Sequence, residues 1–130
     1  MRPGVTFDSG ALISIERRKD RARRVFERLR EQDVVITAPL PVVGEWWRGR
    51  TDWREKILAC VRIEPLTLDT VKRAGEALAS LPPSRRAGPG IVDAIVMASA
   101  SSRGDVVYTT DVDDLALLTS FFREVRVLSM

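Results

Sequence analysis

Histidine is absent from this chain of 130 residues, and cysteine occurs once, as Cys60. The first absence removes Ser-His-Asp triads, Cys-His pairs, imidazole-bound zinc and histidine-based RNA cleavage. The second removes an intrachain disulfide and any set of sulfur ligands. It leaves Cys60 as a small apolar residue inside a helix. Long apolar runs are also missing: the stretch Ile91–Ala100 contains Asp93, and nothing else comes near the length of a membrane span. The N-terminus, Met1-Arg2-Pro3, lacks the apolar core of a signal peptide. The expectation is a cytoplasmic protein without membrane contact. Any catalysis falls to carboxylates, hydroxyls, Lys or Arg, or to a metal held by oxygen.

What is present is the composition of an ordinary globular protein, 45% hydrophobic and 30% charged. The length suits a single domain, 1–130, with a sizeable core. The net charge is +3, and the excess is local. Between Glu16 and Glu31 eight basic residues stand against four acidic ones, a local charge of +4. Such a stripe is compatible with a phosphate-backbone partner. It equally describes a solvated helix face with internal pairs, such as Glu27 with Arg23 and Arg28.

Along the chain, short β-branched runs alternate with helical patterns. Val5–Phe7, Val34–Thr37, Ile63–Leu66, Val106–Thr109 and Val125–Leu128 read as strands. Helices are expected over Ala11–Glu16, Asp20–Gln32, Pro41–Gly49, Trp53–Val61, Thr67–Leu81, Ile91–Ser102 and Asp111–Ser120. Residues 82–90, rich in Pro and Gly, read as a loop that carries Arg85 and Arg86. The alternation predicts an α/β fold: three layers, α/β/α, around a short, mostly parallel sheet. Trp46, Trp47 and Trp53 sit close together in sequence, and core or dimer-interface packing is the expected use for them.

Four carboxylates stand where packing alone does not ask for a charge. Asp8 closes the first strand, in Thr6-Phe7-Asp8-Ser9-Gly10. Glu45 lies in the apolar turn Val42-Val43-Gly44-Glu45-Trp46-Trp47, and Asp93 opens the most apolar helix of the chain. Asp111 follows the strand Val106–Thr109, with Asp113 and Asp114 behind it. Each has an ordinary reading. Asp8, Asp93 and Asp111 suit helix N-termini, and Glu45 suits an exposed border paired with Arg48 or Arg50. Together they carry more. In a parallel sheet, strand ends and the helix starts after them share one edge. Carboxylates gathered there repel one another unless a cation joins them. Oxygen-only donors select a hard divalent ion, Mg²⁺ or Mn²⁺, and the matching chemistry is phosphodiester hydrolysis.

On four blocks the sequence resembles the PIN-domain family, and within it the VapC-type ribonuclease toxins. The blocks are Thr6-Phe7-Asp8-Ser9-Gly10-Ala11-Leu12-Ile13, Pro41-Val42-Val43-Gly44-Glu45, Asp93-Ala94-Ile95-Val96-Met97-Ala98 and Thr109-Thr110-Asp111-Val112-Asp113-Asp114-Leu115. The resemblance spans essentially the whole length. It implies a PIN-like α/β/α domain and an endoribonuclease dependent on Mg²⁺ or Mn²⁺. Asp8 and Asp93 would be the main metal ligands, joined by Asp111, with Glu45 completing the acidic pocket. Ser9, Thr110 and Asp114 would support them, and Arg17, Arg18, Arg85 and Arg86 are candidates for RNA contact. It further implies a homodimer and a small neutralising antitoxin. The chain departs from the pattern at Ser9-Gly10, where many relatives have Thr-Ser or Thr-Asn.

Two other readings are open to such a sequence. One is a non-catalytic RNA-binding or regulatory domain that retains an acidic pocket. The other is a phosphoryl-transfer enzyme with Asp8 as nucleophile. The second is disfavoured because Gly10 stands where haloacid-dehalogenase-like phosphatases place a second aspartate.

Overall fold

The structure is a computed structural model that describes residues 3–85 and 88–130. Among these residues five strands form one sheet: β1 (Val5–Phe7), β2 (Ile36–Pro39), β3 (Arg62–Glu64), β4 (Val106–Thr109) and β5 (Val127–Ser129). Their order is β3-β2-β1-β4-β5, and every pairing is parallel. The order reverses between β1 and β4. An open parallel sheet forms a crevice at such a reversal, at the carboxyl ends of its strands.

Among the described residues, seven α-helices flank the sheet: α1 (Ser9–Glu16), α2 (Asp20–Glu31), α3 (Leu40–Trp46), α4 (Asp52–Ala59), α5 (Leu68–Ala79), α6 (Ile91–Arg103) and α7 (Val112–Ala116). Successive residues of a strand face opposite sides, and β1 divides the layers accordingly. Phe7 packs on Phe26 of α2, whereas the Thr6 hydroxyl faces Asp105 and Arg103 at the end of α6. On one side α1 packs against α2, α3 and α4; on the other α5 packs along α6. The layers share one apolar core in which Phe7, Leu12, Ile15, Met97, Leu115 and Phe122 are fully buried. No described helix is long and apolar enough to cross a membrane.

Helix α6 is buried from Ala94 to Ala100, as its uniformly apolar sequence predicts, and Gly104 ends it at φ 73°. That left-handed conformation is open to glycine without a Cβ penalty. Other boundaries differ from the sequence pattern. Strand β2 begins two residues late, because Val34 N–H still bonds to Leu29 O and closes the end of α2. Pro65 ends β3 early. Helix α3 stops at Trp46 rather than Gly49, since Trp47 is already extended (φ −67°, ψ 128°) and Gly49 turns to φ 104°. The last helix is shorter than expected. Asp111 caps α7 instead of entering it, and a tighter 3-10 turn, Leu117–Ser120, follows. Strand β5 starts at Val127 because Val125 N–H is taken by Phe122 O.

Candidate active site

Asp8, Asp111, Asp93 and Glu45 come to the same edge of the sheet. Asp8 leaves β1 and caps α1: its Oδ1 accepts from Ala11 N–H at 2.8 Å. Its Oδ2 accepts from the Thr109 hydroxyl. Asp8 is only 7% exposed, and Thr109 is completely buried. The same Thr109 oxygen accepts the backbone N–H of Asp111 at 2.9 Å. One hydroxyl therefore ties the ends of the two strands that border the crevice.

Asp93 sits in the first turn of α6, where its Oδ2 accepts from Gly90 N–H at 3.0 Å. Glu45 projects from α3 and accepts from the Ser9 hydroxyl at 2.9 Å. Neither Arg48 nor Arg50 pairs with it. Arg48 donates to the carbonyls of Gly44 and Trp47, and Arg50 lies 3.4 Å from Asp52. Asp114 N–H reaches the Asp111 Oδ1 at 3.5 Å, and Asp113 is exposed. Thr110 is exposed too, and its hydroxyl occupies the space beside Gly10 where a Cβ would stand. Gly10 is thus needed for close approach between α1 and the loop after β4.

The carboxylates perturb one another. Burial pushes the Asp8 carboxyl above its ordinary range against the pull of Thr109 and Ala11, and the charges of Asp93 and Asp111 push it further. Burial likewise raises Asp93, with Glu45 and Asp111 adding to the rise. A side-chain hydrogen bond with Asp111 raises Asp114. Among the described residues, no group of three acidic side chains converges tightly enough to enclose a metal ion. Asp8, Glu45 and Asp93 are each held by a hydrogen-bond donor of their own. In charge and donor type the set nevertheless fits a hard divalent cation: oxygen ligands only, mutual repulsion, and a crevice at the switch point.

The strongest support around this edge was not evident in the sequence. Glu16, at the end of α1, accepts from Trp46 Nε1 at 2.9 Å and from Arg54 Nε and Nη2 at 2.7 and 3.1 Å. Its backbone oxygen accepts from Trp53 Nε1 at 3.1 Å. The Arg54 fork holds the Glu16 carboxyl below its ordinary range. This hub pins α3 and α4 to α1 and so fixes the turn that carries Glu45. It also accounts for the tryptophans. Trp46 is core, and Trp47 and Trp53 are partly buried against it. No local pattern marks Glu16 as a hub, because its partners lie 30 and more residues away.

The four predicted RNA-contact arginines have different settings. Arg17 lines a cleft of about 260 Å³ beside Glu45, together with Arg48 and Arg54. Arg18 turns away to lie over the Trp53 ring, 4.6 Å from its centroid. Arg85 closes a short 3-10 turn, Pro83–Arg85, and Arg86 lies outside the described residues.

A doubly wound parallel sheet with carboxylates at its switch point defines the class: an α/β fold with an acidic crevice suited to a cation. More narrowly, the chain has the PIN-like fold of the VapC toxins. It superposes on a chain of the DNA-bound VapBC complex of Salmonella typhimurium with a TM-score of 0.68 and 17% identity, covering 98% of each chain. It superposes on VapC20 of Mycobacterium tuberculosis, a toxin that cleaves the sarcin–ricin loop, with a TM-score of 0.66 and 24% identity. That likeness covers 95% of this chain and 99% of the other. No family model and no curated protein matches the sequence.

Proposed function

We propose that this protein is an endoribonuclease dependent on Mg²⁺ or Mn²⁺ and the toxin of a toxin–antitoxin pair, working as one domain over its 130 residues. The observation that carries the proposal is a set of mutually repelling carboxylates at the switch point of a VapC-like fold. Asp8, Asp93 and Asp111 would hold the cation, with Asp114 behind Asp111. When bound, the ion would lower the pKa of a water and offset charge developing on the phosphate.

The chain's own residues do the rest. Thr109 fixes Asp8 and the backbone of Asp111 in one position. Ser9 holds one oxygen of Glu45, and Oε2 carries no hydrogen-bond donor among the described residues. On this reading Oε2 takes a proton from an attacking water. Arg17 and Arg48 stand at the neighbouring cleft to meet a substrate phosphate. The expected partners are RNA, a cognate antitoxin and a second copy of the chain, in the cytoplasm.

One observation favours the alternative of a non-catalytic domain with an acidic pocket: no three acids converge among the described residues. Cleavage separates the two. A hairpin RNA bearing a sarcin–ricin loop, and unrelated structured RNAs, would be incubated with Mg²⁺ or Mn²⁺ and with EDTA. The wild type should cleave at least one of them only with metal, and Asp93→Asn should be slower by about 100-fold or more, the scale of losing one electrostatic catalytic group. Equal cleavage by both proteins would sink the site assignment. No cleavage of any RNA, with no metal binding by calorimetry, would favour the alternative.

A further inference from the structure

The acidic edge raises an electrostatic problem. An RNA approaching it brings phosphates toward at least four carboxylates, so attraction has to come from elsewhere on the surface. Helix α2 supplies it on one side only. Arg21, Arg24 and Arg28, with Val25 and Leu29, line a groove of about 460 Å³ whose remaining wall is Tyr108. The three arginines are exposed. Their spacing (i, i+3, i+7) aligns them over about 10 Å of helix.

None of the three has an ion pair among the described residues, and no acid lines the groove. Glu27 pairs with neither Arg23 nor Arg28; among the described residues the ion pair on this helix is Asp20 with Arg23, at 3.7 Å. Glu27 and Glu31 instead line a separate groove with Arg18, Arg23, Arg30 and Trp53. The two grooves therefore differ in charge: one is lined by both signs, the other by arginines alone among its charged residues.

The basic side leads to the acidic edge. Tyr108 immediately precedes Thr109, whose hydroxyl holds Asp8. The Tyr108 ring meets the Phe7 ring edge-on, with centroids 6.3 Å apart, and Phe7 immediately precedes Asp8. Tyr108 is half-buried, and its hydroxyl makes no hydrogen bond among the described residues.

We propose that the groove between α2 and Tyr108 binds single-stranded RNA flanking the cleaved bond, with Arg21, Arg24 and Arg28 on its phosphates and a base stacked on Tyr108. The assignment rests on the nuclease reading for its link to cleavage. An aromatic wall beside unpaired arginines suits bases and phosphates together, whereas an acidic peptide would have no use for the ring.

The test is fluorescence anisotropy of a labelled single-stranded RNA in EDTA, over a range of salt, so that binding is read without cleavage. Each phosphate contact on single-stranded RNA contributes a salt slope of about −0.7. The triple variant R21A/R24A/R28A should bind at least tenfold more weakly and lose about 2 from the slope. Tyr108→Leu keeps apolar packing against Phe7 and should weaken binding while leaving the slope unchanged. Arg30→Ala, on the far side of the helix over Phe26, serves as a control and should change binding less than twofold.

Unchanged affinity and slope in the triple variant would overturn the proposal. So would an equal loss in Arg30→Ala, which would reveal only a net-charge effect. Unchanged RNA affinity combined with lost binding of a polyglutamate peptide would assign the groove to an acidic protein partner instead. Circular dichroism and the melting temperature verify that each variant folds. A wild type that binds RNA through these residues but cuts none would uphold the groove and reject the nuclease reading.

Discussion

Thr109 does at the residue scale what the acidic positions cannot do alone. Its hydroxyl, fully buried, donates to Asp8 and accepts from Asp111 N–H. Thr109→Val keeps the shape and removes both bonds. Unfolding experiments should report a loss of about 1–3 kcal/mol, the cost of leaving buried polar groups unpaired. The Asp8 carboxyl is already raised by burial, and it would lose the hydrogen bond that pulls it down most. The acid limb of a cleavage profile should therefore move to higher pH in Thr109→Val, and Thr109→Ser should restore the wild-type profile. An unshifted limb in the valine variant would show that Asp8 does not govern it. The acids were legible in sequence because each stands against an apolar or strand-end context. Thr109 was not: a threonine at the end of a strand reads as an ordinary β-former. Of the hydroxyls expected from sequence to support the site, Ser9 donates to Glu45 and Thr110 is exposed beside Gly10.

At the scale of elements, the alternation of strands and helices was legible because apolar periodicity reports which face each segment buries. Boundaries were less so, since they depend on bonds between elements. Strand β2 starts where α2 stops holding Val34, and α3 ends where the chain must turn toward the Glu16 hub. The seam between α6 and the sheet was equally hidden. Arg103 donates to Glu64 and Asp105 and also to Thr6, and Ser99 donates to Glu64 at 2.8 Å. One guanidinium thus joins α6 to β1, to β3 and to the start of β4. Arg103→Met would leave two carboxylates in a largely buried setting without their cation. Breaking such a pair costs about 3–5 kcal/mol, far more than losing an exposed one. Chemical denaturation should find Arg103→Met destabilised by about 3 kcal/mol. Arg50→Met, whose pair with Asp52 is exposed, should stay within about 0.5 kcal/mol of wild type. Similar costs for the two would mean that the Arg103 seam is solvated.

Across the whole molecule, charge is divided between an acidic edge and basic surfaces, and the edge sets how stability responds to pH and, on the proposed reading, to metal. Asp8 and Asp93 are raised above the ordinary value of 3.8, so the fold favours their protonated forms. The stability this contributes is complete below 3.8 and is lost as pH rises through the raised values. At neutral pH the metal-free protein therefore holds two anions that the fold disfavours. Asp93→Asn removes one of them, and the asparagine oxygen still accepts from Gly90 N–H. In EDTA at pH 7 the variant should melt at or above the wild-type temperature. The difference should shrink as pH falls toward 3.8, where the wild-type carboxyls are protonated as well. A divalent cation should reverse the ranking. At 100 times its dissociation constant it would add about 2.7 kcal/mol to the wild type, several degrees in melting temperature, and much less to the variant. Mg²⁺ and Mn²⁺ should both act, whereas Na⁺ at matched ionic strength should not. A wild type that melts at the same temperature with and without divalent ions, while Asp93→Asn is no more stable than it in EDTA, would refute the cation site through a readout independent of cleavage.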